Sequence, residues 1–174
     1  MLILLLLLLA LVAGVVASAA SKPDFFRVER STTIGTSPER IFPLINDFHN
    51  FGRWSPWEHL DPQMQRSITG PPSGQGASYA WSGNAKAGAG RMEILESSPS
   101  TRVVMKLDFI KPFEGHNTAE YTLAADGAST TVTWAMYGPT PFVSKVMQVF
   151  VSMDKLIGKD FERGLSQMKA AAEA

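Results

Sequence analysis

The 174-residue chain contains no cysteine. That excludes disulfide frameworks, thiolate zinc sites, iron–sulfur clusters and cysteine nucleophiles. It has no net charge either, since Lys+Arg and Asp+Glu each total 16. The basic footprint expected of a nucleic-acid binder is therefore missing. The three histidines, His49, His59 and His116, do not fall at metal-ligand spacing. The glycines of residues 83–90 lack the G-K-[ST] ending of a phosphate loop, and no G-x-S-x-G elbow occurs. No motif calls for a cofactor or a metal.

Residues 1–20 carry no charged side chain, and Leu2–Leu9 is an unbroken aliphatic run. As a helix, about 20 residues span about 30 Å, the thickness of a bilayer's hydrocarbon core. A core helix is excluded because a polar face is missing. Ala17-Ser18-Ala19 has the A-x-A form of a signal-peptidase site, but no basic residue precedes the apolar stretch. An uncleaved membrane anchor over 1–21 is therefore preferred to a signal peptide. Cleavage would instead give a secreted or periplasmic protein. Lys22, Arg27 and Arg30 follow the span, which by the positive-inside rule keeps the remaining domain, 22–174, on the cytoplasmic side.

Within that domain, Phe26–Ile34 reads as a β-branched strand. Ser37-Pro38 opens a short helix, with Ser37 as cap and Pro38 at the first helical position. Pro43 limits its length. A second helical turn covers Asn46–Phe51. Strands are expected over 63–69, 77–82, 91–96, 102–110, 116–124 and 129–137, separated by turn formers such as Ser97-Ser98-Pro99 and Asp126-Gly127. Short connections make neighbouring strands antiparallel. From Phe142 to Ala172, apolar residues recur every three or four positions: Val146, Phe150, Met153, Ile157, Phe161, Leu165 and Met168. They predict one long helix with a single buried stripe. Gly158 beside that stripe predicts close approach to the sheet or a cavity wall.

The strands alternate. Val103, Met105, Leu107 and Phe109 oppose Arg102, Lys106 and Asp108; Asn117, Ala119, Tyr121 and Leu123 oppose His116, Thr118 and Glu120. Such a sheet has one apolar and one wet face. The fold class is therefore α+β, with a curved antiparallel sheet of six or seven strands around a long C-terminal helix.

Several local stretches carry a resemblance. They are Val28-Glu29-Arg30-Ser31, Ser37-Pro38-Glu39-Arg40 with Ile41-Phe42, Trp54-Ser55-Pro56-Trp57, Tyr79-Ala80-Trp81-Ser82-Gly83-Asn84, Ala119-Glu120-Tyr121 and Thr133-Trp134. Together with the element order, they resemble the START-like (helix-grip) SRPBCC superfamily, in its polyketide cyclase/dehydrase branch. The resemblance covers everything after the apolar segment. It implies the helix-grip fold and a function ranging from lipid carriage to cyclisation.

The candidate ligand-binding residues combine face and chemistry. Tyr79, Trp81, Met105, Phe109, Tyr121, Trp134, Met136, Phe150 and Met153 are large or flexible apolar side chains expected to face inward. Such residues suit an adaptable cavity better than a Leu/Ile/Val core does. Trp54 and Trp57 bracket Pro56 in a connection, as a pocket rim or as a plug at the core's edge. Asn117 is an inward polar group, as are Tyr121, Thr130 and Asn84. His116, Asp108 and Glu120 fall on the wet face, where charge pairing is expected. The leading expectation is a membrane-anchored domain binding a hydrophobic small molecule or lipid. The alternative is a cyclase or dehydratase acting on a polyketide-like or aromatic substrate. A protein-interaction module would need an exposed apolar patch, which the strand alternation does not reveal.

Overall fold

A computed structural model describes residues 1–174. The uncharged segment forms helix α1, Leu2–Ala20. Strand β1 follows, Phe25–Ile34. Helix α2, Pro38–Asn46, starts with proline in its first turn, contains Pro43, and buries Ile41, Leu44 and Ile45. A 3-10 turn, Phe48–Arg53, follows, with Asp47 accepting a hydrogen bond from the His49 N–H. Six further strands are β2 (Gln65–Thr69), β3 (Ser78–Ser82), β4 (Ala89–Ser98), β5 (Arg102–Lys111), β6 (Gly115–Asp126) and β7 (Ser129–Pro139).

All pairings are antiparallel, in the order β1-β7-β6-β5-β4-β3-β2. From β2 to β7 each strand lies beside its predecessor, and β1 closes onto β7. Register shifts in the β4–β5 pair, at Ala89/Gly90 and Ile94/Glu96, add local twist to the curved sheet. The apolar face lies against a C-terminal helix, giving the α+β arrangement that the alternation implies and the helix-grip fold that the resemblance implies. Its core joins Val103, Met105, Tyr121, Val132 and Trp134 of the sheet to Phe161, Leu165 and Met168 of that helix.

The C-terminal region departs from the single helix expected. It forms α3, Phe142–Phe150, and α4, Met153–Glu173. Val151 is extended between them, and Ser152 caps α4 by accepting from the Lys155 N–H. The apolar spacing runs on across this break, but the chain direction does not. Residues from Ile157 onward keep the stripe against the sheet. Phe150, expected inside, is instead 73% exposed. Gly158 is buried and approaches the sheet, one of the two placements expected, with the guanidinium of Arg30 on β1 as its neighbour. Arg30 bridges Asp154 and Glu162 on α4, each at 2.8 Å. The glycine that meets the core is Gly164, where a Cβ would sit 2.8 Å from the Trp134 ring and 3.0 Å from Pro56.

The wet face carries the charge pairing expected of it. Arg102 bonds Glu120 at 2.8 Å and Glu96 at 2.6 Å. Asp108 lies opposite His116 in register, and its buried carboxylate meets His116 at 2.8 Å, Lys106 at 3.1 Å and Arg91 at 3.1 Å. Burial pushes the Asp108 carboxyl up, but the hydrogen bonds from His116, Lys106 and Arg91 outweigh it and hold it at about 2. A depressed carboxyl stabilises the fold above the unfolded-state value near 4 and loses that contribution as pH falls through about 2. Two of its partners are solvent-exposed, which limits the contribution to about 1–2 kcal/mol. Asp108→Asn is therefore expected to flatten the fall in thermal stability between about pH 5 and pH 2, as checked by melts across that range.

Candidate functional site: an aromatic cavity under the C-terminal helix

Between the sheet's apolar face, α4 and the segment after the 3-10 turn lies a cavity of about 160 Å³. It is assembled around Trp134. The β6–β7 register sets Tyr121 opposite Trp134, and their rings stack at 5.2 Å. On the helix side, Phe161 stacks on Trp134 at 4.0 Å with the planes 6° apart. Gly164, one turn further, lets the helix come this close. Trp54 and Trp57 meet Trp134 edge-on, each at 5.5 Å. Edge-to-face and stacked pairs each add about 0.5–1.5 kcal/mol beyond buried area.

The two tryptophans of the Trp54-Ser55-Pro56-Trp57 connection divide the roles expected of them. Trp54 is a plug, fully buried, with its indole N–H donating to the Leu44 carbonyl at 2.7 Å. Trp57 is half-buried on the wall. Trp81, Phe109, Met92 and Ile157 are also half-buried and mark the open side. Trp81 lies over Gly90, its partner in register, where a Cβ would be 2.5 Å from the ring. Its indole N–H donates to the Ala87 carbonyl at 3.1 Å.

The polar features are few. Glu58 is buried at the wall. One carboxylate oxygen accepts from the Tyr79 hydroxyl at 2.5 Å, and the other accepts from Arg66 Nε at 2.8 Å. Burial first, and then the Glu58 carboxylate, push the Tyr79 phenol up. Burial alone pushes the Tyr121 phenol well up. The Trp134 indole N–H is buried without a partner. Leaving such a donor unpaired costs about 1–3 kcal/mol.

Of the side chains singled out from sequence, Trp54, Trp57, Tyr79, Trp81, Phe109, Tyr121, Trp134 and Met136 line this cavity. Met105 is wholly buried but is packed in the core behind it. Asn117 and Met153 line a separate polar cleft of about 290 Å³ beside α3, with Glu114, His116, Thr140, Ser144 and Gln148. Asn117 lies near the start of β6, where Gly138 packs against it. Phe150 lines neither. Thr130 donates to the Thr36 carbonyl, and Asn84 accepts N–H bonds from Lys86 and Ala87 within its loop. Sequence reasoning missed Glu58, which lies in an irregular segment with no periodicity to assign it a face. It also missed Leu107, Ala119, Ile157 and Phe161 as wall residues, although alternation and the helical stripe already placed them inward.

Comparison with known proteins agrees with this architecture. Residues 26–173 match the family described as "Polyketide cyclase / dehydrase and lipid transport". The chain belongs to that family. A search of curated proteins gives no match. Among solved structures, protein CV1439 from Chromobacterium violaceum is similar, with a TM-score of 0.59 and 16% identity over 88% of this chain and 99% of that one. SA2116 from Staphylococcus aureus, titled a protein of unknown function, has a TM-score of 0.63 and 13% identity, covering 86% of this chain and 94% of that one. DynU16, a putative protein in the dynemicin biosynthetic locus, has a TM-score of 0.58 and 16% identity over 88% of this chain and 48% of that one. At these identities the likeness is one of fold.

Proposed function

We propose that the domain binds a hydrophobic small molecule or lipid in the aromatic cavity, held beside a membrane by α1. The observation that carries this reading is the cavity itself, walled by aromatic, methionine and aliphatic side chains with Glu58 as its one carboxylate. Its volume is close to the roughly 150 Å³ of an engineered apolar cavity that admits benzene. A single ring, or a short acyl segment, fits without movement, and the second ring of a fused pair would extend toward the open side. A longer chain would leave through the side bounded by Trp57, Trp81 and Phe109. The family description, which includes lipid transport, supports the same reading. Helix α1 contributes the membrane part: 19 residues with a mean hydropathy of 3.0.

The enzymatic alternative, a cyclase or dehydratase, draws on Glu58, Tyr79 and Tyr121, the ionisable groups that line the cavity. Both Glu58 oxygens already accept protein hydrogen bonds, which hold the carboxylate in place to orient a ligand hydroxyl.

The test is occupancy. Native mass spectrometry of the detergent-extracted protein is expected to show a co-purified hydrophobic molecule. With the cavity emptied, 2-naphthol should bind with a Kd of about 10 µM, roughly −7 kcal/mol, read by quenching of tryptophan emission. Ala119 is buried on the cavity wall, so Ala119→Phe fills the space with a ring. It is expected to weaken 2-naphthol at least about tenfold, about 1.4 kcal/mol, while the fold persists by circular dichroism. Unchanged binding in that variant would place the ligand elsewhere.

A further inference from the structure

Helix α3 is amphipathic in the reverse sense. Its one buried position is polar, Lys145, paired with Asp24; Ser144 and Gln148 line the polar cleft, and Val146 and Val149 are half-buried. Its outward positions are apolar. Phe142, Val143, Met147 and Phe150 are exposed, with Val143 at 66% and Phe150 at 73%. Positions 143, 147 and 150 are spaced as one helical stripe. A surface helix in water turns its apolar stripe to the core. The exposed apolar surface continues past the helix break at Val151 and Leu156.

What covers this face follows from its neighbour. Helix α1 packs against α3. Only the last part of α1 is covered: Val15 and Ser18 are half-buried and Ala19 is buried, while residues 2–14 are exposed. The uncharged helix therefore stands clear of the domain, and α3 lies where it joins. Any bilayer that takes up residues 2–14 brings its surface to the level of α3. Exposed Leu156 adjoins Ile157 at the cavity's open side, and exposed Ile110 adjoins Phe109 there.

We propose that the outward face of α3, with Val151 and Leu156, is a membrane-interface docking surface. It inserts its apolar stripe among lipid acyl chains beside α1 and holds the open side of the cavity at the bilayer. Such an in-plane helix buries its apolar face at the headgroup–acyl boundary. This rests on the reading of α1 as an anchor. The exposed patch that strand alternation does not reveal is thus on a helix, and lipid is its occupant.

Because the chain has no cysteine, single labels can be placed on the full-length protein. Val143→Cys and Phe150→Cys report on α3, Val12→Cys on α1, and Ala128→Cys on the β6–β7 turn at the far end of β7. Each is labelled with a polarity-sensitive nitrobenzoxadiazole dye and reconstituted into phosphatidylcholine vesicles containing spin-labelled phosphatidylcholine. Labels at 143 and 150 are expected to shift blue and to be quenched at least half as strongly as the label at 12, with position 128 unquenched. Quenching at 12 without quenching at 143 and 150 would leave the anchor intact and overturn the docking surface. No quenching at 12 would overturn the anchor, and the docking surface with it. A blue shift at 143 and 150 without lipid quenching would mean that a second copy or another protein covers α3, which also overturns the proposal.

Discussion

Trp134→Ala is expected to be the most damaging single substitution in the domain, lowering stability by about 3–5 kcal/mol. The side chain is 3% exposed and contacts four aromatic rings from three directions: Tyr121, Phe161, Trp54 and Trp57. Its removal would open a void bounded by rings that cannot collapse, because Gly164 and the β6–β7 register fix the distance between helix and sheet. The lost indole N–H has no partner, so no hydrogen bond is lost with it. Three residues away on the same strand, Tyr137 sits on the opposite face, half-buried under Arg27 and beside Phe25. Tyr137→Ala should cost about 1 kcal/mol, within the range of a partly exposed site. Urea denaturation of the two variants measures the contrast, and comparable losses would contradict the assignment of the faces.

The second large effect is expected at Glu58. Glu58→Ala leaves the buried Tyr79 hydroxyl without an acceptor and removes the ion pair to Arg66. Breaking a buried, hydrogen-bonded charge in this way costs about 2–4 kcal/mol. Arg66 keeps its hydrogen bonds to the backbone carbonyls of Met64 and Glu58, so the loss falls mainly on Tyr79. Glu58→Gln retains an acceptor for the phenol and should recover part of the stability. The same pair probes the ligand: if Glu58 orients a hydroxyl, both variants reduce the preference for 2-naphthol over naphthalene. Competition binding by tryptophan quenching reads that preference, and an unchanged ratio would remove Glu58 from recognition.

How far the chain could be read before the fold was seen depended on regular repetition. In β5, β6 and β7 every second side chain faces the core, so Tyr121 and Trp134 could be assigned to the interior from parity alone. Asp108 and His116 could be placed outside in the same way. The stretch from Trp54 to Met64 repeats nothing, and its most consequential residue, Glu58, is charged. Composition assigns such a residue to the surface by default. Burial there is decided by Tyr79 and Arg66, which come from β3 and β2. The C-terminal break failed to show for a different reason. Val146, Phe150 and Met153 keep helical spacing through it, and spacing cannot report a change of chain direction. Ser152 followed by Met153-Asp154 was the local sign of a new helix start, hidden inside an apolar run.

The position of β1 has a consequence for how the chain is made. β1 is an edge strand whose hydrogen-bonded neighbour is β7, the last strand to be synthesised. At ordinary elongation rates of about 5–20 residues per second, the roughly one hundred intervening residues keep β1 waiting for about 5–20 s. Strands β2 to β6 can zip together in order through local hairpins during that interval, but the closing pair is the most non-local contact in the sheet. The waiting strand begins Phe25-Phe26, directly after the uncharged helix, and offers unpaired backbone groups of the kind that recruit foreign strands. Nascent chains should therefore be most vulnerable to misassembly just before β7 emerges, and a ribosome-bound chaperone that shields residues 25–34 would act at the step that matters.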